Sequence, residues 1–297
     1  MSWSSSLVSE IRKIAGERLR ENEPMSRHTS LRIGGPARIF VRVNDPEELD
    51  RIIALVRDKG LRIFILGAGS NLLVRDEGLK EVVVKLEGDF KRIEVEGERL
   101  FAGAGAGLKE AVRMATENGL SGLEFACGIP GTVGGAVIMN ASFLGHSISE
   151  IVKRVKVLSV EGEVVVRDND ELAFSYRKSR IGGIVLEAEL LLKKGQTAKI
   201  EERILRFRKE RERLQPKGLS AGCIFKNPQG DSAGRLIEAA GLKGRKAGGA
   251  QISAKHANFI LNIDQASSRD VLTLIEQARE KVRNKFGVEL KEEIVVV

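Results

Sequence analysis

Apolar residues recur along the chain with two spacings, one helical and one extended. The helical spacing predicts amphipathic helices, which lie at residues 7–19, 45–60, 108–118, 232–240 and 268–286. Alternating or continuous apolar runs predict strands, which lie at residues 39–43, 62–66, 81–86, 92–95, 99–102, 153–160, 163–167, 184–192, 259–262 and 288–297. This succession predicts an opening β-α-β unit followed by a region of short strands, in an α+β protein.

Residues that favour helix caps and turns stand at several ends of these predicted elements. Asp45 and Pro46 open the second helix, as an N-cap and a proline in the first turn. We expect Ser268 to cap the last helix and Gly287 to end it. Residues 161–163, with Gly162 at the centre, predict a hairpin turn.

Two glycine clusters stand out from this pattern. Residues 67–72 follow the apolar strand 62–66, and residues 128–135 contain four glycines and a proline within eight positions. Glycine lets main-chain N–H groups turn toward a ligand and approach it closely, most usefully a diphosphate, and Pro130 stiffens the second cluster. A single cluster fits a tight turn between strands equally well. Two clusters together favour a phosphate-binding site.

Neither cluster has a common nucleotide-binding fingerprint. No glycine is followed by the lysine and hydroxyl residue of a Walker loop. A third group, Gly103, Gly105 and Gly107, does precede a helix, but Leu108 stands in place of the further glycine that a Rossmann fingerprint requires. The site is therefore expected outside the doubly wound fold.

Composition narrows the class of protein. The chain has 297 residues, 42% hydrophobic and 30% charged, a globular balance that allows two or three domains. The longest apolar runs are too short to span a membrane, and the first residues lack the pattern of a secretory signal. We therefore expect no membrane-spanning segment and no membrane partner. Two cysteines, Cys127 and Cys223, offer no disulfide framework or metal cluster, which favours a reducing cytoplasm.

Charge points to an anionic partner. The net charge of +8 suits a phosphorylated small molecule or nucleic acid. Basic and acidic residues alternate, and one tyrosine and one tryptophan leave little for base stacking, so we expect no nucleic acid. The charged segment 200–214 reads as a solvated connecting helix, with Arg213 as a possible phosphate contact.

Several residues have side chains suited to catalysis or substrate binding, and each also has an ordinary structural interpretation. Arg177, beside Tyr176, suits a carboxylate clamp but is often a surface arginine. Cys223 follows a small open turn and can donate a proton, although lone cysteines are usually inert core residues. One of Glu292 and Glu293 should point inward from a strand. His256 reads as a polar contact, because no second metal ligand has suitable spacing.

Six motifs in this order resemble the UDP-N-acetylenolpyruvoylglucosamine reductase family over nearly the whole chain. They are residues 66–74, 128–136, 176–177, 221–228, 248–257 and 290–293. The chain is similar to the shorter, second type, because Arg177 leads directly into the strand at 184 without room for a capping insertion.

The resemblance implies a fold and a domain plan. The fold is α+β, with an FAD-binding domain of the vanillyl-alcohol-oxidase type in two subdomains and a C-terminal α/β substrate domain. Residues 1–80 form the first subdomain, 81–199 the second, 200–215 a linker helix and 216–290 the substrate domain. The strand at about 291–297 can return to the first subdomain.

The resemblance also implies the site residues. Arg177 and Glu293 would stabilise developing charge, and Cys223, in place of the family's usual serine, would donate the proton. The FAD-binding residues would come from the two glycine clusters: Gly67, Gly69, Ser70, Asn71, Leu72, Gly128, Ile129, Pro130, Gly131, Thr132, Gly134, Gly135 and Asn140. The UDP-sugar contacts would be Tyr176, Arg213, Lys226, Asn227 and His256.

The implied activity is the FAD-mediated, NADPH-dependent reduction of an enolpyruvyl UDP-sugar to UDP-N-acetylmuramate for peptidoglycan. We expect a cytoplasmic monomer without a metal ion. Two rivals remain at this point: another FAD enzyme of the same fold that acts on an alcohol or sugar, and a non-catalytic nucleotide-binding protein.

Overall fold

A computed structural model describes residues 5–297. Within them lie seven α-helices: α1 (Ser5–Ala15), α2 (Pro46–Asp58), α3 (Leu108–Glu117), α4 (Val133–Ile138), α5 (Thr197–Leu214), α6 (Ala233–Ala239) and α7 (Ser268–Phe286). Short 3-10 helices also occur, among them Gly16–Arg18 and Glu124–Ala126. None of the helices in this part of the chain combines the length and apolar character of a membrane span.

The strands of the first half are β1 (Leu19–Pro24), β2 (Pro36–Val43), β3 (Ile63–Leu66), β4 (Leu72–Leu73), β5 (Leu79–Leu86), β6 (Ile93–Glu96), β7 (Arg99–Gly103), β8 (Leu120–Ser121), β9 (Ser142–Phe143) and β10 (His146–Ser147). Those of the second half are β11 (Val152–Ser159), β12 (Val164–Asp168), β13 (Gly183–Leu191), β14 (Lys193–Lys194), β15 (Lys246–Ala247), β16 (Ala250–Ile252), β17 (Ile260–Asn262) and β18 (Val295–Val296).

The described chain divides into two compact units. The first comprises the chain up to Glu21, Ile39–Gly67 and Glu81–Glu210, and the second comprises Asn22–Arg38, Ala68–Lys80 and Arg211–Val297. Each unit has its own apolar core. The predicted four-part division of the chain stays a prediction.

The first unit is built on two sheets. A five-stranded sheet has the order β12-β11-β13-β7-β6 and is antiparallel throughout. A four-stranded sheet, most of whose residues belong to this unit, has the order β1-β2-β5-β3, with β3 and β5 parallel. Ile39, Val41, Val84 and Leu100 are among the fully buried side chains of this core.

The second unit packs α6 and α7 around a small antiparallel sheet, β15-β16-β17. Helix α7 buries Val271, Leu274, Ile275 and Val282 on one face, as its apolar spacing predicts. The last residues of the chain return to this unit, where β18 lies parallel to β4 with Val295 opposite Leu72.

Helix ends follow capping chemistry, with one correction. Asp45 accepts a hydrogen bond from the Glu48 N–H at 2.9 Å, as expected for the cap of α2. The cap of α7 is Ser267 and not Ser268, because Ser267 Oγ accepts from Asp270 N at 3.1 Å. Ser268 is buried and bonds to Asp76 instead, so the predicted cap was wrong by one residue.

Two predicted elements are shorter than expected, and one helix was not predicted. The helix predicted at 7–19 ends at Ala15, because Gly16 adopts φ +56° and leaves the helical conformation, and Leu19 already begins β1. The strand predicted at 288–297 is only Val295–Val296, because its partner β4 has two residues. Helix α4, which was not predicted, begins within the second glycine cluster and ends at Ile138.

Candidate functional site

The second glycine cluster forms a short loop that leads into α4. Thr132 caps this helix and its Oγ1 accepts from the Gly135 N–H at 3.2 Å. Leu108 N donates to Gly131 O at 3.0 Å, and Val133 N donates to Ala106 O at 2.9 Å. This pairing ties the loop to the start of α3. Gly107 and Thr132 face each other in an antiparallel bridge in which these two bonds flank them and they exchange no main-chain hydrogen bond, so the Thr132 amide points to the opposite side of the loop.

The two glycine clusters meet at Gly67 and Thr132 in the first unit. A Cβ on Gly67 would lie 3.1 Å from Thr132 Oγ1, tighter than an ordinary contact. Gly134 also fits closely, since a Cβ there would lie 2.8 Å from the Ala104 Cβ. A bare main chain at these positions, with a threonine hydroxyl and outward amides, fits the diphosphate of a dinucleotide.

The rest of the first cluster belongs to the second unit, where the main chain at residues 28–30 packs against it. Gly69 adopts φ +63°, and a Cβ there would lie 2.1 Å from the His28 carbonyl oxygen. Ser30 N donates to Gly69 O at 3.0 Å. His28 in turn contacts the buried Glu23, with Nε2 and Oε1 3.0 Å apart. Only glycine fits this turn, as the sequence led us to expect.

Arg177 lies in a tight turn of the first unit. It adopts φ +56°, and the isolated bridge between Ser175 and Lys178 closes the turn. Its Nη1 donates to Ser142 Oγ at 2.7 Å and to Ser142 O at 3.3 Å, and its guanidinium lies 5.6 Å from the Tyr176 ring centroid. Tyr176 is half exposed.

Asn140 and Ser142 hold this turn in place. Asn140, predicted to bind FAD, is buried and donates from Nδ2 to Ser175 O at 3.0 Å, while its Oδ1 accepts from Ser149 N. It therefore has a structural task beside its predicted one. Ser142 was missed by sequence reasoning. The only signal for it was its place two residues after Asn140, at the end of the glycine-rich segment.

Cys223 lies in the second unit on a segment organised by one buried amide. Asn258 is 2% exposed; its main-chain O accepts from Ile224 N, its Oδ1 accepts from Phe225 N at 2.9 Å, and its Nδ2 donates to Phe225 O at 2.8 Å. Cys223 itself forms an isolated bridge with Phe259 and is half-buried. These bonds hold the thiol on a fixed main chain.

The main chain of Glu293 lies beside the same segment. Glu293 N donates to Ile224 O at 2.8 Å, next to Cys223. Its carbonyl accepts from Asn71 Nδ2 at 3.0 Å, which joins the predicted FAD loop to the C-terminal residues within the second unit. Glu292 faces Arg279 in an ion pair at 2.5 Å.

A cavity of about 340 Å³ opens beside Cys223. Its wall is polar and includes two predicted substrate residues; it consists of Cys223, Asn227, Ser232, Gly234, Arg235, Glu238, Lys255, His256, Ala257 and Asn258. Asn227 Oδ1 accepts from Ala233 N at 3.0 Å, at the start of α6. Among the predicted UDP-sugar contacts of the second unit, Arg213 and Lys226 do not line this cavity.

His256 enters the cavity as a neutral side chain. Burial lowers its pKa below the ordinary value of 6.5, and this effect outweighs a main-chain hydrogen bond that raises the pKa. Its Nδ1 accepts from Asn258 N at 3.2 Å, which leaves Nε2 as the protonated, donating nitrogen. The sequence-based reading as a polar contact fits this geometry. No group of histidine, cysteine, aspartate or glutamate between residues 5 and 297 is arranged to hold a metal ion.

Two basic side chains of this wall, Arg235 and Lys255, bond to neighbouring oxygen atoms. Arg235 donates to the carboxylate of Asp231, which lowers the pKa of Asp231 to about 2. Lys255 Nζ donates to the Glu212 carbonyl. The sequence analysis assigned no role to Arg235, which lies outside the recognised motifs, or to Lys255, which lies within the motif 248–257.

Comparison with known proteins identifies the family. A model of an FAD-binding domain matches residues 37–167, and a model described as the C-terminal domain of UDP-N-acetylenolpyruvoylglucosamine reductase matches residues 215–297. A UDP-N-acetylenolpyruvoylglucosamine reductase 2 of Symbiobacterium thermophilum is 44% identical over 94% of this chain and 92% of its own length.

The chain belongs to the UDP-N-acetylenolpyruvoylglucosamine reductase family.

Two other reductases of this family are similar to this chain over more than nine tenths of its length. The reductase of Caldanaerobacter subterraneus is 43% identical over 98% of both chains. The crystal structure of the reductase from Thermus caldophilus has a TM-score of 0.82 at 41% identity, and covers 92% of this chain and 97% of its own. An alkyldihydroxyacetonephosphate synthase, 14% identical with a TM-score of 0.50 over 65% of this chain, shares the fold alone.

Family membership confirms the main sequence predictions. The predicted α+β fold with an FAD-binding domain is confirmed, as are the reductase family, FAD as the cofactor and NADPH as the reductant. The chain is an FAD-dependent oxidoreductase. The roles assigned to single residues stay predictions.

Proposed function

We propose that this chain reduces UDP-N-acetylenolpyruvoylglucosamine to UDP-N-acetylmuramate in peptidoglycan precursor synthesis, with Arg177, Cys223 and Glu293 acting on the substrate. The observation that carries the proposal is that Cys223, Asn227 and His256, three positions taken from the family's pattern, line one cavity. A chance agreement of sequence motifs would not be expected to place them together.

The glycine clusters are the residues that would hold FAD. Gly67, Gly131, Thr132 and Gly135 offer bare main chain and a hydroxyl in the first unit, and Gly69, Ser70, Asn71 and Leu72 follow in the second. FAD, when bound, supplies hydride transfer from NADPH to the substrate. Asn71 and Asn140 would act chiefly by fixing their loops, because their amides already bond to Glu293 O and Ser175 O.

Arg177 would bind the carboxylate of the enolpyruvyl group. A guanidinium offers paired donors to a carboxylate, and the bond to Ser142 Oγ fixes its direction before substrate arrives. Glu293 would share the task of stabilising the charge that develops on the substrate. Tyr176, half exposed beside Arg177, would contact the sugar nucleotide.

Cys223 would supply the proton. The enolpyruvyl double bond takes up a hydride at its methylene carbon and a proton at the adjacent carbon, so the reduction needs a general acid there. A thiol in ordinary surroundings has a pKa of about 8.5 and keeps its proton at neutral pH. It is a stronger acid than the hydroxyl of serine and a weaker hydrogen-bond donor.

Four side chains would recognise the UDP part of the substrate: Arg213, Lys226, Asn227 and His256. Of these, Asn227 and His256 line the cavity beside Cys223, and the Nε2 of His256 is its donating atom. A cytoplasmic monomer stays the expectation for location and assembly.

The test is a substrate-dependent oxidation of NADPH. We expect the purified protein to show flavin absorbance and to oxidise NADPH when the enolpyruvyl UDP-sugar is added. UDP-N-acetylglucosamine, which lacks the enolpyruvyl double bond, is the matched control and should give no turnover. Equal rates of NADPH oxidation with both compounds would contradict the proposal.

A further inference from the structure

Ser30 bonds to two segments of the second unit that the proposed function requires, although it lies outside every motif named above. Its main-chain N–H donates to Gly69 O at 3.0 Å, in the turn predicted to hold FAD. Its hydroxyl donates to Ser220 O at 2.6 Å, three residues before Cys223. One serine thus joins the predicted cofactor turn to the segment that carries the predicted acid.

A second link between the same two stretches of chain runs through the next residue. Leu31 O accepts from Asn262 Nδ2 at 2.9 Å, and Asn262 N donates to Leu219 O at 2.9 Å. Leu31 and Ala221 are 0% and 2% exposed and belong to one apolar core. Two adjacent residues therefore hold the chain just before the thiol.

These bonds matter because packing does not confine the chain between Ser220 and Cys223. Gly222 adopts φ +78°, and a Cβ there would meet no other atom within 4 Å. Glycine has wide backbone freedom, and no close neighbour restricts this one. After Cys223 the chain is fixed again, because Ile224 N donates to Asn258 O at 2.9 Å. The place of the thiol thus depends on bonds on both sides of it, and Ser30 supplies one of them.

Proton transfer is sensitive to the place of the acid. A general acid must come within hydrogen-bond reach of the atom that it protonates, and a thiol is only a weak hydrogen-bond donor. The substrate therefore does little to draw a misplaced thiol into position. A misplacement of about 1 Å can cost on the order of a hundredfold in rate.

We propose that Ser30 is a positioning residue for the protonation of the substrate: its hydroxyl ties the chain before Cys223 to the Gly69 turn and so sets the place of the thiol relative to the cofactor loop. This inference rests on the proposed function, because it takes Cys223 as the acid. The bond from Ser30 N to Gly69 O does not need the hydroxyl. Cofactor binding and flavin reduction by NADPH therefore do not depend on it.

The first test compares the two half-reactions in anaerobic stopped-flow. In Ser30→Ala the flavin content and the rate of bleaching by NADPH should match wild type, while recolouring by saturating enolpyruvyl UDP-sugar should slow about tenfold. Ser30→Thr keeps the hydroxyl and should recover most of the rate. Thr273→Val is the control, because it removes a hydroxyl whose bond, to Arg269 O at 2.8 Å, stays within α7. It should recolour at the wild-type rate.

The second test asks whether Ser30 acts through the thiol. In Cys223→Ala the added change Ser30→Ala should cause no further loss of recolouring rate, because no thiol remains to be placed. If Ser30→Ala does not fold, Asn262→Asp takes its place, since aspartate keeps the acceptor for Ala266 N and loses the donor to Leu31 O. It should slow recolouring when Cys223 is present and not in Cys223→Ala.

The outcomes separate this inference from the proposed function. Recolouring of Ser30→Ala at the wild-type rate, an equal loss in Thr273→Val, or a further loss in the double variant overturns the inference and leaves the proposed function standing. Loss of flavin or slower bleaching by NADPH in Ser30→Ala does the same, because either would place the effect at the cofactor. A reduced wild type that the substrate does not recolour overturns the proposed function itself.

Discussion

Arg177 Nη1 donates to Ser142 Oγ at 2.7 Å, and this bond joins the turn at Arg177 to strand β9, 35 residues earlier in the chain. Arg177 adopts a left-handed conformation, φ +56°, which is uncommon for a residue other than glycine. A side chain held in this way loses little further freedom when it binds a carboxylate. The strained turn and its serine partner together aim the guanidinium.

Removal of the Ser142 hydroxyl should therefore affect the substrate and not the flavin. In Ser142→Ala we expect kcat/KM for the enolpyruvyl UDP-sugar to fall about tenfold, because one hydrogen bond to a charged group is lost. The flavin content should not change. Ser179→Ala is the control, because Ser179 Oγ bonds to Ile138 O and not to Arg177. Equal losses in both variants would contradict the positioning role of Ser142.

The shape of the Arg177 side chain should matter as much as its charge. Arg177→Lys keeps the charge but loses the paired donors, so we expect kcat to fall about a hundredfold. Flavin absorbance per protein should match wild type. The measurement is steady-state turnover with saturating NADPH. A lysine variant with wild-type kcat would remove Arg177 from the proposed mechanism.

Gly69 gives a separate test of the cofactor loop. A Cβ on Gly69 would lie 2.1 Å from the main-chain oxygen of His28, so Gly69→Ala must displace the loop. Gly60 has nearly the same φ, +64° against +63°, and a Cβ on Gly60 would meet no other atom within 4 Å. Both variants carry the same backbone strain, and only Gly69→Ala carries the clash.

We expect Gly69→Ala to purify with little or no flavin, and Gly60→Ala to retain wild-type flavin content. Absorbance of the purified proteins, followed by titration with added FAD, measures the difference. Equal FAD affinity in the two variants would show that the loop at Gly69 does not hold the cofactor.

The neutral state of His256 predicts how stability depends on pH. Its folded-state pKa is lowered by burial, so the unfolded chain binds the proton more readily. Stability should therefore rise with pH and be lost as pH falls below about 6.5, where the unfolded histidine becomes protonated. The Nδ1 of a charged imidazole also cannot accept from Asn258 N.

Urea unfolding of wild type and His256→Gln at about pH 7.5 and about pH 5.5 checks this expectation. Wild type should lose more stability on acidification than His256→Gln, because glutamine does not titrate in this range. An equal loss in the two proteins would show that His256 is not the group responsible.

Much of the fold was predictable because local chemistry and packing agree. Helix α7 has one apolar face, ends at Gly287 in a left-handed conformation, and runs over the residues predicted for it. The hairpin between β11 and β12 turns at Gly162, with φ +95°. At such positions the residue type leaves few alternatives.

The predictions of secondary structure were wrong where tertiary contacts or an unexpected backbone conformation set the bounds of an element. Helix α4 has two glycines and would be a poor helix alone, but Thr132 caps it and Val133 and Val137 are buried in the core. The terminal strand is limited by the two-residue β4, a partner more than 200 positions earlier. Helix α1 ends early because Gly16 takes a left-handed conformation that the apolar spacing does not reveal.

The candidate site likewise contains residues that a motif predicts and residues that only the folded structure brings together. The glycine at position 69 was predictable from its motif, since its left-handed φ and the close approach of the His28 carbonyl leave room for glycine alone. Ser142 and Asn258 were not, because each acts through a partner brought close only by folding. Side chains that position a catalytic group are as much a product of the tertiary structure as of the local sequence.

The central claim is that Cys223 donates the proton to a substrate reduced by flavin, and the two half-reactions of Cys223→Ala test it most directly. In anaerobic stopped-flow, bleaching of the flavin by NADPH should occur near the wild-type rate. Recolouring by the enolpyruvyl UDP-sugar should slow by about a hundredfold or more in Cys223→Ala, and recover much of its rate in Cys223→Ser. Recolouring of Cys223→Ala at the wild-type rate would contradict the account.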